Sequence, residues 1–179
     1  MTELLYLQGF DVVNCEAKVD SISHTDDGRA DLVLDKTCFY ARGGGQDWDT
    51  GEISSASAKF QVEEVRLDEN GEVHHIGTFS EGSLGSGDKV ECSVNKERRV
   101  INTRLHSAAH VIDMAIADLG LDWVGTKGQH YPDLSAIEYS GTWEPEKAEE
   151  LRIAIEKRAN EFTAKNIENK LLFLSLIHI

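Results

Sequence analysis

The chain has 179 residues, 40% of them hydrophobic and 28% charged, with 2 prolines. That composition excludes wholesale disorder and allows one large domain or two small ones, each with its own core. A formal net charge of −14 excludes a uniformly basic nucleic-acid binder, although residues 95–111 carry 4 bases (Lys96, Arg98, Arg99, Arg104) against 1 acid.

The N-terminus, MTELLYLQGF, lacks the basic region and apolar run of a signal peptide. Nor does any stretch reach the roughly 20 apolar residues of a membrane-spanning helix. A soluble, cytoplasmic protein is expected. The 3 cysteines, Cys15, Cys38 and Cys92, are odd in number and far apart in sequence. They read as small buried strand residues in a reducing compartment rather than as a disulfide framework.

Residues 1–94 read as successive short strands. Apolar or alternating runs occur at 4–7, 12–19, 30–34, 37–40, 59–67, 73–79 and 89–94. Turn-forming stretches rich in Gly, Asn and Asp separate them, at 25–28, 42–45, 68–71 and 82–87. This spacing predicts an antiparallel barrel or sandwich.

The period then changes. Ile101, Leu105, Ala108, Ile112, Ala115 and Leu119 follow the spacing of the buried stripe of a helix. Asn95 can cap its start, and Gly120 can take the left-handed position that ends it. A loop is expected through Gly125–Gly128 and Tyr131–Asp133, then a strand at 136–139. A second helix opens with Pro145 in its first turn. It buries Ala148, Leu151, Ile155, Ala159 and Phe162, runs to about Asn166, and is followed by an apolar run at Leu171–Leu174. The reading is α+β, with a β-rich domain over 1–94 and a helix-containing domain over 95–179.

Two features carry chemistry. His106 and His110 lie four residues apart on the first helix, so both rings project from one side and can share a divalent metal ion. Position 107 is Ser, so the general base of H-E-x-x-H proteases is missing from its place. Zinc wants three or four protein ligands; Cys38, Cys92 and His130 are the other donors in view. The second feature is Gly43-Gly44-Gly45-Gln46 after a strand. It suits either a loop that cradles a ligand through backbone N–H groups or a tight hairpin. It has neither the Lys-Ser/Thr of a Walker loop nor a G-x-G-x-x-G opening a helix, which disfavours a nucleotide fold.

The order Thr37-x-Phe-Tyr, Gly-Gly-Gly-Gln46, Asp49-x-Gly51, Val73-x-His75, Gly87-Asp-x-Val90, Arg98-Arg99 and His106-x-x-x-His110 resembles the alanyl-tRNA editing family. That family comprises free-standing AlaX-type deacylases and the related editing domains of alanyl- and threonyl-tRNA synthetases. The resemblance implies a small β-barrel-like domain with the glycine-rich motif beside an α+β editing domain. It implies zinc held by His106 and His110, and a substrate pocket near Gly43, Gly44, Gly45 and Gln46. The expected substrate is tRNA(Ala) mischarged with Ser or Gly, cleaved at the ester to the 3′-terminal adenosine. Arg98, Arg99 and Arg104 are candidates for tRNA phosphate contacts on charge alone.

The family completes its zinc site with a C-x-x-x-H motif after the second helix. Here the chain ends Leu174-Ser-Leu-Ile-His-Ile179, so a C-terminally truncated reading frame is expected and His178 is a poor ligand. Alternative readings are a non-catalytic RNA-binding relative, an editing-domain fragment of an alanyl-tRNA synthetase, and an unrelated metallohydrolase of another ester.

Overall fold

A computed structural model describes residues 1–168; the apolar run at 171–174 and His178 lie outside them. The described chain divides into two compact units. The first comprises Met1–Ser107 with Lys127–Ile137, and the second Ala108–Thr126 with residues from 138 on.

In the first unit, β1 (Glu3–Leu4) passes into one 3-10 turn, and β2 (Asn14–His24), β3 (Ala30–Leu34) and β4 (Lys36–Thr37) follow. After the glycine motif come β5 (Gly51–Ser54), β6 (Lys59–Leu67), β7 (Val73–Glu81) and β8 (Lys89–Val94). Six of them close into an antiparallel barrel of order β2-β3-β7-β6-β5-β8, while β1 and β4 form a short parallel pair. This settles the choice between barrel and sandwich.

The inward set follows from period-two alternation. Along β8 burial alternates residue by residue, and Val90, Cys92 and Val94 face inward. Along β6 it is Phe60, Val62 and Val65. With Val19, Leu32, Leu34, Phe39, Ile53 and Val73 they build one apolar core. A large side chain in such a core contributes roughly 1.5–3 kcal/mol. Irregularities between Lys59 and Phe60 and between Val62 and Glu64 are bulges that bend β6 around the closing barrel.

Three sequence expectations need correction. Residues 4–7 divide between the end of β1 and the 3-10 turn, because Leu5–Leu7 pair with no neighbouring strand. The expected strand at 37–40 stops at Thr37. Strand β5 was hidden, because in its Gly-Glu-Ile-Ser run Ile53 is the one large apolar side chain.

Helix α1 (Lys96–Asp118) begins in the first unit and continues in the second. Asn95 caps it, its Oδ1 accepting the Arg98 N–H at 3.0 Å. Gly120, at φ +70°, ends it in the left-handed region. The buried stripe is rotated from the apolar one. Ile101 is 48% exposed, whereas Arg99 (2%) and Asn102 (0%) are buried. Polar partners in the barrel overrule apolar periodicity at Arg99, whereas the buried Asn102 side-chain amide has no hydrogen-bond partner among the described residues. Ala109, Ala115 and Ile116 carry the buried stripe onward.

Strands β9 (Val124–Tyr131) and β10 (Leu134–Ser140) form a hairpin. Gly125–Gly128, expected as a loop, is therefore strand. In the second unit, Tyr139 Oη donates to Asp113 at 2.6 Å, and Trp123 Nε1 donates to the Thr142 carbonyl at 2.7 Å. Helix α2 (Ala148–Ala164) follows a 3-10 turn at Pro145–Lys147. Arg158 on α2 reaches Asp118 on α1 at 2.7 and 2.9 Å. Among the described residues α2 buries no side chain fully. Leu151, Ile155, Ala159 and Phe162 are half-buried, and Ala148 is exposed.

Candidate functional site

The glycine motif is a tight hairpin turn. Gly43 N donates to the Gln46 carbonyl at 3.3 Å and Gln46 N to the Gly43 carbonyl at 2.9 Å. Between them Gly44 (φ +56°) and Gly45 (φ +76°) are both left-handed. Two successive positive φ angles define the type I′ geometry that only glycine adopts at low cost.

Gly45 has a second reason to lack a side chain. A Cβ there would lie 2.5 Å from the Gly128 carbonyl oxygen. The turn is pressed against β9, where His130 N donates to the Gly45 carbonyl at 2.9 Å and Gln46 bridges to His130. The glycines thus seat the turn on a strand far along the chain.

This seating brings the chemical groups together. Gln46 is 3% exposed, and its Oε1 lies 3.1 Å from His106 Nδ1. A carbonyl oxygen only accepts, so in this contact His106 donates from Nδ1. The His130 ring stacks on that of His106 with centroids 4.8 Å apart and 16° between planes. His130 is buried at 6% exposure. The sequence placed it in a loop; it comes to the site because β9 runs beside the turn.

The other side of the turn is clamped. Tyr40 Oη donates to the Gly43 carbonyl at 2.9 Å and Tyr40 N donates to Asp49 at 2.7 Å. Burial, with the Asp49 charge beside it, pushes the Tyr40 phenol above its ordinary pKa, so it stays a donor. Arg98 binds Asp47 and, at 2.9 Å, the Trp48 carbonyl. Arg99 binds Asp49 through Nε at 3.0 and 3.1 Å and through a second nitrogen. Its remaining donors reach the carbonyls of Phe10 at 3.0 Å and Cys38 at 2.6 Å. Two of the basic residues singled out by charge therefore hold 47–49 in place, with Arg99 2% exposed, while Arg104 is exposed.

His110 lies one turn beyond His106 on α1, in the second unit, with its Nδ1 3.5 Å from Asp113. Elsewhere on the barrel, Asp68, Glu72 and His74 bring ligand atoms within 4.8 Å of one another, a group that could hold a metal ion. There Asp68 also closes the β6–β7 turn by accepting the Asn70 and Glu72 N–H groups at 3.0 and 2.7 Å.

Residues 9–98 match the family described as tRNA synthetases class II (A), which sets the class of protein in which this barrel and glycine turn occur. Over 97% of its length the chain is 33% identical to the alanyl-tRNA editing protein AlaX-M of Saccharolobus solfataricus, of which it covers 69%. It is 35% identical over 83% of its length to the alanine–tRNA ligase of Anaeromyxobacter sp., of which it spans 16%. It is 44% identical over 54% of its length to the mitochondrial alanine–tRNA ligase of Saccharomyces cerevisiae, of which it spans 10%. The chain belongs to the family of alanyl-tRNA editing proteins and alanyl-tRNA synthetases.

Proposed function

We propose that the chain carries the editing reaction of this family, hydrolysis of the ester that joins a wrong amino acid, serine or glycine, to the 3′-terminal adenosine of tRNA(Ala) in the cytoplasm. The observation that carries this reading is the His106–Gln46 pair at the glycine turn. It orients the histidine that the resemblance assigns to zinc.

The donor chemistry fits the metal. A histidine ligand characteristically gives its second ring N–H to a carbonyl or carboxylate, which sets tautomer and orientation. Gln46 does this for His106 Nδ1. His106 and His110 would hold the ion, which when bound supplies Lewis-acid polarisation of an ester carbonyl. The protein's own residues then do three things. The Gly43–Gln46 turn shapes the wall against which the aminoacyl group is placed. His130, stacked on His106, keeps the ligand ring from rotating. The Arg98 and Arg99 clamps hold 47–49 so that the turn keeps its place, and Arg104 is the arginine left for a tRNA phosphate.

The test is deacylation of Ser-tRNA(Ala) and Gly-tRNA(Ala) by the protein, with simple esters as controls. Turnover of the mischarged tRNA that disappears in His106→Ala is expected. Unchanged turnover in that variant would refute the zinc assignment, and equal turnover of simple esters would refute the substrate.

A further inference from the structure

The chain's 3 cysteines, dispersed in sequence, meet at one place in the barrel. Cys15 on β2 and Cys92 on β8 are direct register partners. The flanking backbone bonds define the kind of pair. Val94 N donates to the Val13 carbonyl at 2.8 Å and Val19 N to the Asp88 carbonyl at 2.9 Å. Hydrogen-bonded and non-hydrogen-bonded pairs alternate along an antiparallel ladder, so Cys15–Cys92 falls on the hydrogen-bonded set. Such pairs hold their Cα atoms about 5.5 Å apart, the commonest separation across a disulfide.

The side chains also share a face. Cys92 (1% exposed) and Cys38 (0%) belong to the barrel core, and Cys15 packs against that core from a half-buried position. The neighbouring thiols of Cys38 and Cys92, with Lys36 nearby, hold the Cys15 thiol well below its ordinary pKa. The neighbouring Cys15 thiol, and then burial, push Cys38 and Cys92 the other way. Cys15 is thus the member of the cluster that solvent reaches and the one that ionises first.

We propose that Cys15 and Cys92 form a reversible thiol–disulfide modification site, with Cys15 as the attacking thiol, Cys92 as the resolving thiol and a small-molecule disulfide such as oxidised glutathione as the oxidant. The Cys15 thiolate attacks one sulfur of the oxidant and breaks its S–S bond. A mixed disulfide forms, and one thiolate leaves and takes up the proton that Cys15 gave up. The Cys92 thiolate then attacks the Cys15 sulfur, forming the Cys15–Cys92 bond and expelling the second thiolate, which takes up the Cys92 proton. The two cysteines together lose two electrons, and the oxidant is reduced to two thiols. The new bond ties β2 to β8, the two strands whose pairing completes the barrel.

The chain is incubated with oxidised glutathione, quenched in acid and mapped by mass spectrometry. A product lighter by two hydrogens is expected, with a Cys15–Cys92 linked peptide that dithiothreitol abolishes. Cys92→Ala is expected to stop at the Cys15 glutathione adduct, and Cys38→Ala still to form the bond. In the folded wild-type protein, iodoacetamide should label Cys15 at least about tenfold faster than the other two. Three unmodified thiols, a Cys15–Cys38 link, or a bond that forms only in denaturant would each overturn the proposal. The wild-type map decides even where a core variant fails to fold.

Discussion

Gln46 Oε1 and His106 Nδ1 lie 3.1 Å apart, so a buried amide in the glycine turn sets the tautomer of the histidine on α1. If His106 is a zinc ligand, Gln46→Leu removes the acceptor that holds its proton on Nδ1 and lets the proton move to Nε2. Zinc affinity should fall about 10- to 100-fold, read by competition with a chelator. An unchanged affinity in a folded variant would remove Gln46 from the site.

The Arg99–Asp49 pair is a buried polar clamp in the first unit, with side chains 2% and 0% exposed. Arg99→Met leaves Asp49 buried and uncompensated. A loss of about 3–5 kcal/mol is expected, measured by urea unfolding. Loss below about 1 kcal/mol would mean that water reaches Asp49 once the arginine is gone.

Gly45 and Gly43 should respond oppositely to alanine. At Gly45 (φ +76°) the added Cβ meets the Gly128 carbonyl at 2.5 Å, whereas at Gly43 the nearest atom is 3.8 Å away. Gly45→Ala should cost about 1–3 kcal/mol and shift the His130 ring resonances, and Gly43→Ala should do neither. Equal effects would contradict the seating of the turn on β9.

His75 makes stability depend on pH. It is fully buried, with Nε2 2.8 Å from Thr37 Oγ1 and Nδ1 3.0 Å from the Leu32 carbonyl. Burial lowers its pKa from 6.5 to about 4. A depressed value means that the unfolded chain takes up the proton first. The contribution is therefore complete above pH 6.5 and is lost as pH falls toward 4, amounting to about 3 kcal/mol. The check is the urea midpoint of wild type against His75→Leu at pH 7.5 and 4.5. A constant difference between them would refute the assignment.

Much of the scaffold is legible in the amino-acid sequence. The strands at 30–34, 59–67 and 89–94 follow from two-residue alternation, and the ends of α1 from Asn95 and Gly120. These signals are local, so one sequence carries them. The buried stripe of α1 was misplaced because Arg99 and Asn102 take positions that periodicity reserves for apolar residues. Nothing near Arg99 in sequence announces Asp49 as its partner. Likewise the tight hairpin at Gly43–Gln46 was readable, but not its seat on β9, and His106 was readable without His130 or the Gln46 bond. Each missing piece is a contact between distant segments, and the same holds for the meeting of the three cysteines.

The seat of the glycine turn on β9 has a consequence for assembly during synthesis. The barrel strands and the turn emerge well before His130 does, yet the turn's backbone partner at Gly45 is His130 itself. The barrel can close first, leaving the turn half-bonded until the hairpin arrives, so the grouping of Gln46, His106 and His130 is among the last parts to be completed. A nascent chain halted between Gly120 and Gly128 would own a finished barrel and a glycine turn without its β9 partner.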